Sequence, residues 1–254
     1  MAEPAARRAA ILAAVRRAGE ANVAALAAEF DVTPQTIRRD LNHLADRALI
    51  ARVHGGAALG SGIANARYDE RRGLAAAAKA RIGAAAAALV PEGASLFINI
   101  GTTTEAVARH LVDHARLMVI SNNLNVVDHL AGRDGLAVIA VGGHVRAGDR
   151  AVIGPLADQF IDNFRVDLAL IGASGLSEAG DLLDFDADEV LVARRIIRQA
   201  RTVILVADST KIGRAAPIRI AGADAIDHLV TDHVTSPALR AVLDRHGVRI
   251  TETG

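Results

Sequence analysis

At 254 residues the chain can hold one large or two ordinary domains, each with a sizeable core. Its 29 Lys plus Arg cancel 29 Asp plus Glu, so it lacks the overall basic charge of a protein that coats a polyanion, and any nucleic-acid contact must come from a local surface. An aromatic content of 2% excludes base-stacking platforms for single strands, and the absence of cysteine excludes disulfides, thiolate metal sites and cysteine nucleophiles.

Glu3, Arg7, Arg8, Arg16 and Arg17 interrupt the N-terminal stretch, and the uncharged run 82–90 is far shorter than the roughly 20 residues that span a bilayer. A cytoplasmic protein is expected. Ile11, Leu12 and Val15 supply a first helix. Val23, Leu26, Ala27 and Phe30 follow at i, i+3, i+4, i+7 and predict a short second one that ends at Phe30-Asp31-Val32. Thr33 and Pro34 then have the chemistry of a helix cap and a first helical position. Along the helix they open, Ile37, Leu41 and Leu44 fall on one apolar stripe.

Gln35, Arg39 and Asn42 lie opposite that stripe, with Arg38 at its edge. Arg can bond bidentately to guanine and Gln or Asn to adenine, so this face has the donors to read base edges in a major groove. An ordinary amphipathic surface helix would show the same stripe, but here it follows a helix and a tight turn, the layout in which the second helix enters the groove. Asp40, beside the stripe, suits a structural ion pair better than DNA. Residues 49–53 read as a strand and His54-Gly55-Gly56-Ala57 as a turn, which makes a wing. A winged helix-turn-helix is therefore expected over 1–58. Arg38, Arg39 and Arg52 would attract phosphates and Gln35, Arg39 and Asn42 would read bases, with Thr33, Thr36 and His54 completing the surface. Arginines outnumber acidic residues over 1–60 by only 8 − 6 = 2, so their placement matters more than their number.

Periodicity is lost after residue 58, and 59–74 are expected to be a linker. From 75 onward, helices alternate with short continuous apolar strands near 95–100, 117–120, 136–141, 166–171, 202–207 and 225–230, with helices near 105–112, 124–130, 187–200 and 236–245. This implies a mostly parallel sheet covered on both faces over 75–254. Ligands of such sheets bind outside the carboxyl ends of the strands. Those ends carry Gly101-Thr102-Thr103-Thr104, Ser121-Asn122-Asn123, Gly142-Gly143, Gly172-Ala173-Ser174-Gly175 and Asp208-Ser209-Thr210-Lys211. One such loop is an ordinary turn; five at one edge fit a small phosphorylated, hydroxylated ligand. Lys211 stands out, since the chain has only two lysines, Lys79 and Lys211; an ammonium there suits a phosphate or a ligand hydroxyl. Asp186 and Glu189 can reach the pocket from a helix start or simply cap that helix.

No metal is expected. His110 and His114 are four apart on a helix but lack a third ligand. Asp184, Asp186 and Asp188 begin like a calcium loop, yet Glu189 and Arg195 stand where Gly and Glu are required. No nucleotide-triphosphate loop and no catalytic triad is recognisable. A sugar-phosphate isomerase or lactonase would need a base against its substrate, for which only Asp186, Glu189, Asp208 and Lys211 offer themselves.

Thr36-Ile37-Arg38-Arg39-Asp40-Leu41, His54-Gly55-Gly56-Ala57, Gly101-Thr102-Thr103 and Ala207-Asp208-Ser209-Thr210-Lys211 together resemble the DeoR family of bacterial transcription regulators, in the family's order and over nearly the whole chain. The resemblance implies a homo-oligomeric, non-enzymatic repressor that binds operator DNA, with a sensor domain of the sugar-phosphate isomerase-like fold and no cofactor. Pro34 to Asn42, Leu96 to Ala108, Asn122-Asn123-Leu124-Asn125-Val126 and Leu182-Leu183-Asp184-Phe185-Asp186 narrow the implied effector to glycerol 3-phosphate or a related phosphorylated metabolite. The phosphate is then implied on Gly101, Thr102, Thr103 and Thr104. Asn122, Asn123, Gly142, Gly143, Gly172, Ser174, Gly175, Asp186 and Lys211 would surround the rest of the ligand.

Overall fold

The computed structural model describes residues 4–18, 20–46, 51–53, 56–58 and 68–254. It divides into one compact unit over Met1–Ala66 and a second over Arg67–Gly254. In the first, helices α1 (Pro4–Ala18), α2 (Val23–Glu29) and α3 (Pro34–Asp46) pool Ile11, Val15, Val23, Leu26, Ile37, Leu41 and Leu44 into one core. Asn22 caps α2 by accepting from the Ala24 amide at 2.7 Å. Asp31, at φ +50°, turns the chain after α2. Thr33 Oγ1 accepts from the Thr36 amide at 3.2 Å, so the expected cap of α3 is formed.

Strands β1 (Glu20–Asn22), β2 (Ala51–Val53) and β3 (Gly56–Ala58) make an antiparallel sheet with β3 in the middle. Two details differ from expectation. Gly56 and Ala57 are strand residues rather than turn residues, and β1 joins the wing from between α1 and α2, three residues being too few to show alternation. The pairing also explains Gly56: a Cβ there would lie 2.2 Å from the Ala21 carbonyl oxygen. His54 and the start of the expected strand at 49–50 lie outside the described residues.

The second unit opens with α4 (Tyr68–Gly73), inside the stretch expected to be a linker. Six residues cannot display a helical repeat, and the helix is held instead by the Tyr68 hydroxyl, which donates to Glu105 at 2.7 Å. After α5 (Ala76–Ala87) come β4 (Ser95–Ile98), α6 (Thr102–Ala108), β5 (Leu117–Ser121), α7 (Leu124–Leu130) and β6 (Leu136–Ala140). A hairpin of β7 (His144–Arg146) and β8 (Ala151–Ile153) leads to α8 (Pro155–Ile161) and β9 (Val166–Ile171). Then follow β10 (Gly175–Leu176), β11 (Leu182–Asp184), α9 (Ala187–Gln199), β12 (Ala200–Val206) and β13 (Ile218–Ala221). The chain closes with β14 (His228–Thr231), α10 (Pro237–Arg245) and β15 (Arg249–Glu252). The expected helix at 105–112 thus begins earlier, at Thr102, and the expected strand at 225–230 begins later, after a 3₁₀ turn over Ala223–Ala225.

Seven strands form one parallel sheet in the order β15-β14-β12-β9-β4-β5-β6. Alternate residues feed opposite faces, as a pleated strand requires. Phe97, Ala169, Ile171 and Leu205 pack with Ile161, Ile196 and Leu239 from α8, α9 and α10. Leu96, Ile98, Leu170 and Ile204 pack with Ile82, Val107 and Leu130 from α5, α6 and α7. The expected mostly parallel sheet covered on both faces is what the chain forms. The short antiparallel sheet β10-β11-β13 and the β7–β8 hairpin are additions to it.

Candidate functional site

On α3, burial sorts the side chains as the periodicity requires. Ile37 and Leu41 are fully buried, whereas Gln35, Arg38, Arg39 and Asn42 are exposed and Thr36 is half-buried. Thr33 and Thr36 share a hydroxyl contact of 3.0 Å at the start of the helix. Arg52 falls in β2. Asp40 is buried and clamped by Arg7 Nε at 2.6 Å and Arg8 Nε at 2.8 Å. Burial raises its pKa, but the two guanidiniums outweigh that and hold the carboxyl below its usual range. Sequence position alone suggested an ion pair; the partners, 33 and 32 residues away, could not be read from spacing.

In the second unit, strand order sets the loops side by side along the carboxyl edge: Asp208–Lys211 after β12, Gly172–Gly175 after β9, Gly101–Thr104 after β4, then Asn122-Asn123 after β5 and Gly142-Gly143 after β6. Gly172 lies against this centre, since a Cβ there would be 3.7 Å from the Ile100 carbonyl oxygen and 3.9 Å from Thr104 Cγ2. Thr103 is buried and Thr102 half-buried on the first turn of α6. The Thr104 hydroxyl is already engaged, with the Asn99 carbonyl at 2.7 Å and the Gly101 carbonyl at 2.8 Å.

Other members of the expected set serve the framework. Gly175 sits in β10, where a Cβ would strike the Arg214 carbonyl oxygen at 2.2 Å, and Gly143 packs under Val152. The Ser174 amide bonds the Leu183 carbonyl. Asn123 caps α7 through the Asn125 amide at 2.9 Å and donates to Glu105 at 3.1 Å. Asp186 caps α9 through the amides of Asp188 and Glu189, and its other oxygen takes Arg146 at 2.6 Å. Asn122 differs: its Nδ2 donates to the Val152 carbonyl at 3.2 Å, but its buried Oδ1 has no partner.

Lys211 is 8% exposed and forms no ion pair among the described residues. Burial first, then Arg214, Lys79 and Arg71, push its pKa down to about 8 against the pull of Asp208. Asp208 is fully buried; its Oδ1 accepts from the Thr210 amide at 3.1 Å and its Oδ2 has no partner. Lys79, 4% exposed, is likewise lowered by burial and is drawn to Asp208 and Glu105. Both lysines of the chain therefore belong to one cluster, together with Arg71 of α4 and Arg214, whose Nη1 donates to the Ser174 carbonyl and whose guanidinium stacks on Phe185 at 5.0 Å. Sequence reasoning weighed Lys211 alone; the other three come from elements far apart in the chain. The two-lysine composition was the one available signal.

Beside this cluster, buried Glu105 receives Tyr68, Asn123 and Asn125. Burial and the Glu105 carboxylate push the Tyr68 phenol up. Tyr68, Arg72, Glu105, Arg109, Asn125 and His129 line a polar cavity of about 220 Å³. On the other side, Arg146 gathers Asp149, Asp186 and Glu189 at 2.6–2.8 Å. Burial beside Asp184 pushes Glu189 up to about 8. Every carboxylate suggested as a catalytic base is thus either capping, paired or buried in this network, apart from the one free oxygen of Asp208. Among the described residues no group of His, Cys, Asp and Glu can hold a metal, and no helix is long and apolar enough to cross a membrane.

A three-helix unit with an exposed reading helix and a wing, followed by an α/β unit that gathers cations from helices and loops around Lys211, defines a ligand-responsive transcription regulator. Two family models match the chain: the DeoR-like helix-turn-helix domain over residues 7–61 and the DeoR C-terminal sensor domain over 74–233. The chain belongs to the DeoR family and is a transcriptional repressor rather than an enzyme. It is 40% identical over 240 residues to the glycerol-3-phosphate regulon repressor of Escherichia coli, covering 94% of this chain and 95% of that protein. The protein of the same name from Haemophilus influenzae is 42% identical over 224 residues, 88% of each chain. The E. coli repressor CsqR is 34% identical over 240 residues, 94% of this chain and 92% of that one. The solved ribose 5-phosphate isomerase A of Methanocaldococcus jannaschii overlaps 54% of this chain and 55% of that one, at 16% identity and a TM-score of 0.40.

Proposed function

We propose that this repressor is released from its operator by glycerol 3-phosphate bound at the carboxyl edge of the parallel sheet. The observation that carries the reading is Lys211, a buried ammonium without an ion-pair partner among the described residues, surrounded by the charges of Lys79, Arg71 and Arg214. A buried positive cluster of this kind is costly unless an anion joins it. Perturbed buried charges beside an unsatisfied polar atom, here Asp208 Oδ2, make a functional-site candidate, and the unsatisfied Asn122 Oδ1 lies on another loop of the same edge. In this reading the Gly101–Thr104 loop and Lys211 take the phosphate, while Asn122, Gly172 and Asp208 surround the polyol. The phosphate-binding chemistry itself does not fix the carbon skeleton. The choice of glycerol 3-phosphate follows the two relatives named for its regulon.

On the DNA side, Gln35, Arg39 and Asn42 read base edges, and Arg38, Arg52, Thr33, Thr36 and His54 hold the backbone. A homo-oligomer supplies paired reading helices, for half-sites about one helical turn or a multiple of it apart. The effector favours an arrangement that mis-spaces them, a coupling of about 1–3 kcal/mol. The test is an operator gel shift against a panel of phosphorylated metabolites. Glycerol 3-phosphate is expected to release the fragment at lower concentration than the other compounds. Release by a different sugar phosphate, with none by glycerol 3-phosphate, refutes the effector assignment.

A further inference from the structure

We propose that Arg71, on the first helix of the second unit, is a ligand-binding residue that exchanges the Asp149 carboxylate for the anionic group of the effector. The inference rests on reading the carboxyl edge as a phosphate site. It adds to that site a residue from outside the strand-end loops.

The Arg71 side chain is only 15% exposed, and its Nε is buried without a hydrogen-bond partner among the described residues. Its contact with Asp149 spans 3.7 Å, beyond hydrogen-bond reach. Asp149 is already held at 2.6 Å and 3.0 Å by both arms of Arg146. The Arg71 fork, built for two parallel bonds to one oxyanion, therefore makes none to a carboxylate here. Lys79 differs, since its ammonium donates to the Arg71 backbone carbonyl and fixes the C-terminal half of α4 against α5. The charge of Arg71 is felt at Lys79, Lys211 and Arg214 alike, which places the guanidinium within the cationic cluster rather than at its rim.

A phosphate monoester brings three acceptor oxygens to this cluster and can take the fork bidentately. Asp149 loses little, because Arg146 still neutralises it. In chain order α4 is the first described element after the DNA-reading unit.

Calorimetric titration of the full-length protein with glycerol 3-phosphate and with inorganic phosphate tests this. Arg71→Gln is expected to weaken glycerol 3-phosphate binding at least tenfold, and Arg71→Lys, which keeps the charge but not the fork, to recover part of the loss. Asp149→Asn is expected to tighten binding several-fold, a sign that structural damage would not give. Unchanged affinity in Arg71→Gln while Lys211→Gln is impaired overturns the role of Arg71 and leaves the site standing. Equal weakening in Asp149→Asn and Arg71→Gln makes the pair merely structural and also overturns it. If wild type binds neither probe, or Lys211→Gln binds as wild type does, the phosphate site falls and this inference with it. Should Arg71→Gln not fold, Arg71→Lys and Asp149→Asn give the same opposed comparison.

Discussion

Replacing Lys211 by Met is expected to stabilise the protein while abolishing its response to the effector. Burial lowers the Lys211 pKa from 10.5 to about 8. A difference of roughly 2.5 units, at about 1.4 kcal/mol each, makes the charged form cost about 3 kcal/mol of stability at neutral pH. For a unit of this size that corresponds to a Tm rise of roughly 6–12 °C in Lys211→Met. The sign with pH is fixed: between about 8 and 10.5 the unfolded chain holds the proton that the folded chain has lost, so wild-type stability rises with pH across that window. The advantage of Lys211→Met should therefore be full below pH 8 and vanish by pH 10.5. Urea denaturation of both proteins at pH 7 and pH 10 measures that double difference, and titration with glycerol 3-phosphate measures the loss of binding. In wild type, affinity should fall as pH rises through about 8. A variant less stable than wild type at pH 7, or an advantage unchanged at pH 10, would refute the picture of a desolvated, unpaired ammonium.

Arg39→Ala should lower operator affinity about 5- to 150-fold, about 1–3 kcal/mol, in a gel shift, while titration with glycerol 3-phosphate stays at the wild-type value; loss of both on a folded variant would defeat the division into two modules. Asp40→Asn should destabilise the first unit by about 1.5–3 kcal/mol, because Arg7 and Arg8 lose the carboxylate they share. In wild type the folded Asp40 pKa is below the unfolded one, so this contribution is complete above pH 3.8 and is lost as pH falls through the folded value; acid titration of the helical circular dichroism of wild type and variant reads the difference. Gly56→Ala should cost about 1–3 kcal/mol by forcing β3 away from the Ala21 carbonyl, measured as a lowered Tm, and an unchanged Tm would show that the wing yields freely.

The elements with a long or strict repeat were legible in the sequence. The stripe Ile37, Leu41, Leu44 fixed the face of α3, and the apolar strands at 117–120 and 166–171 fell where β5 and β9 lie. Elements without such a run were not: β1, α4, β7 and β10, of two to six residues, show no period and exist through pairing with other segments. The same physics limited the site. Loops that follow strands in one sheet share an edge by topology, so Gly101–Thr104, Gly172 and Lys211 were found together. Arg71, Lys79 and Arg214 come from α4, α5 and the approach to β13, and only folding brings them beside Lys211. Glycines misled for a related reason. A turn residue and a residue packed under a backbone look alike in sequence, and Gly143, Gly175 and Gly56 are of the second kind.

The clamp on Asp40 also alters how this repressor should respond to ionic strength. Arg7 and Arg8 share one carboxylate on the buried side of the reading helix, so one of their two charges is already neutralised and has no counterion to trade for those condensed on a duplex. Each phosphate neutralised adds about 0.9 to the slope of log affinity against log salt. Per reading unit, that slope should be shallower by nearly one than the arginine tally of the first sixty residues suggests. The grip on an operator would then depend more on which bases it meets than on how dilute the surrounding electrolyte is.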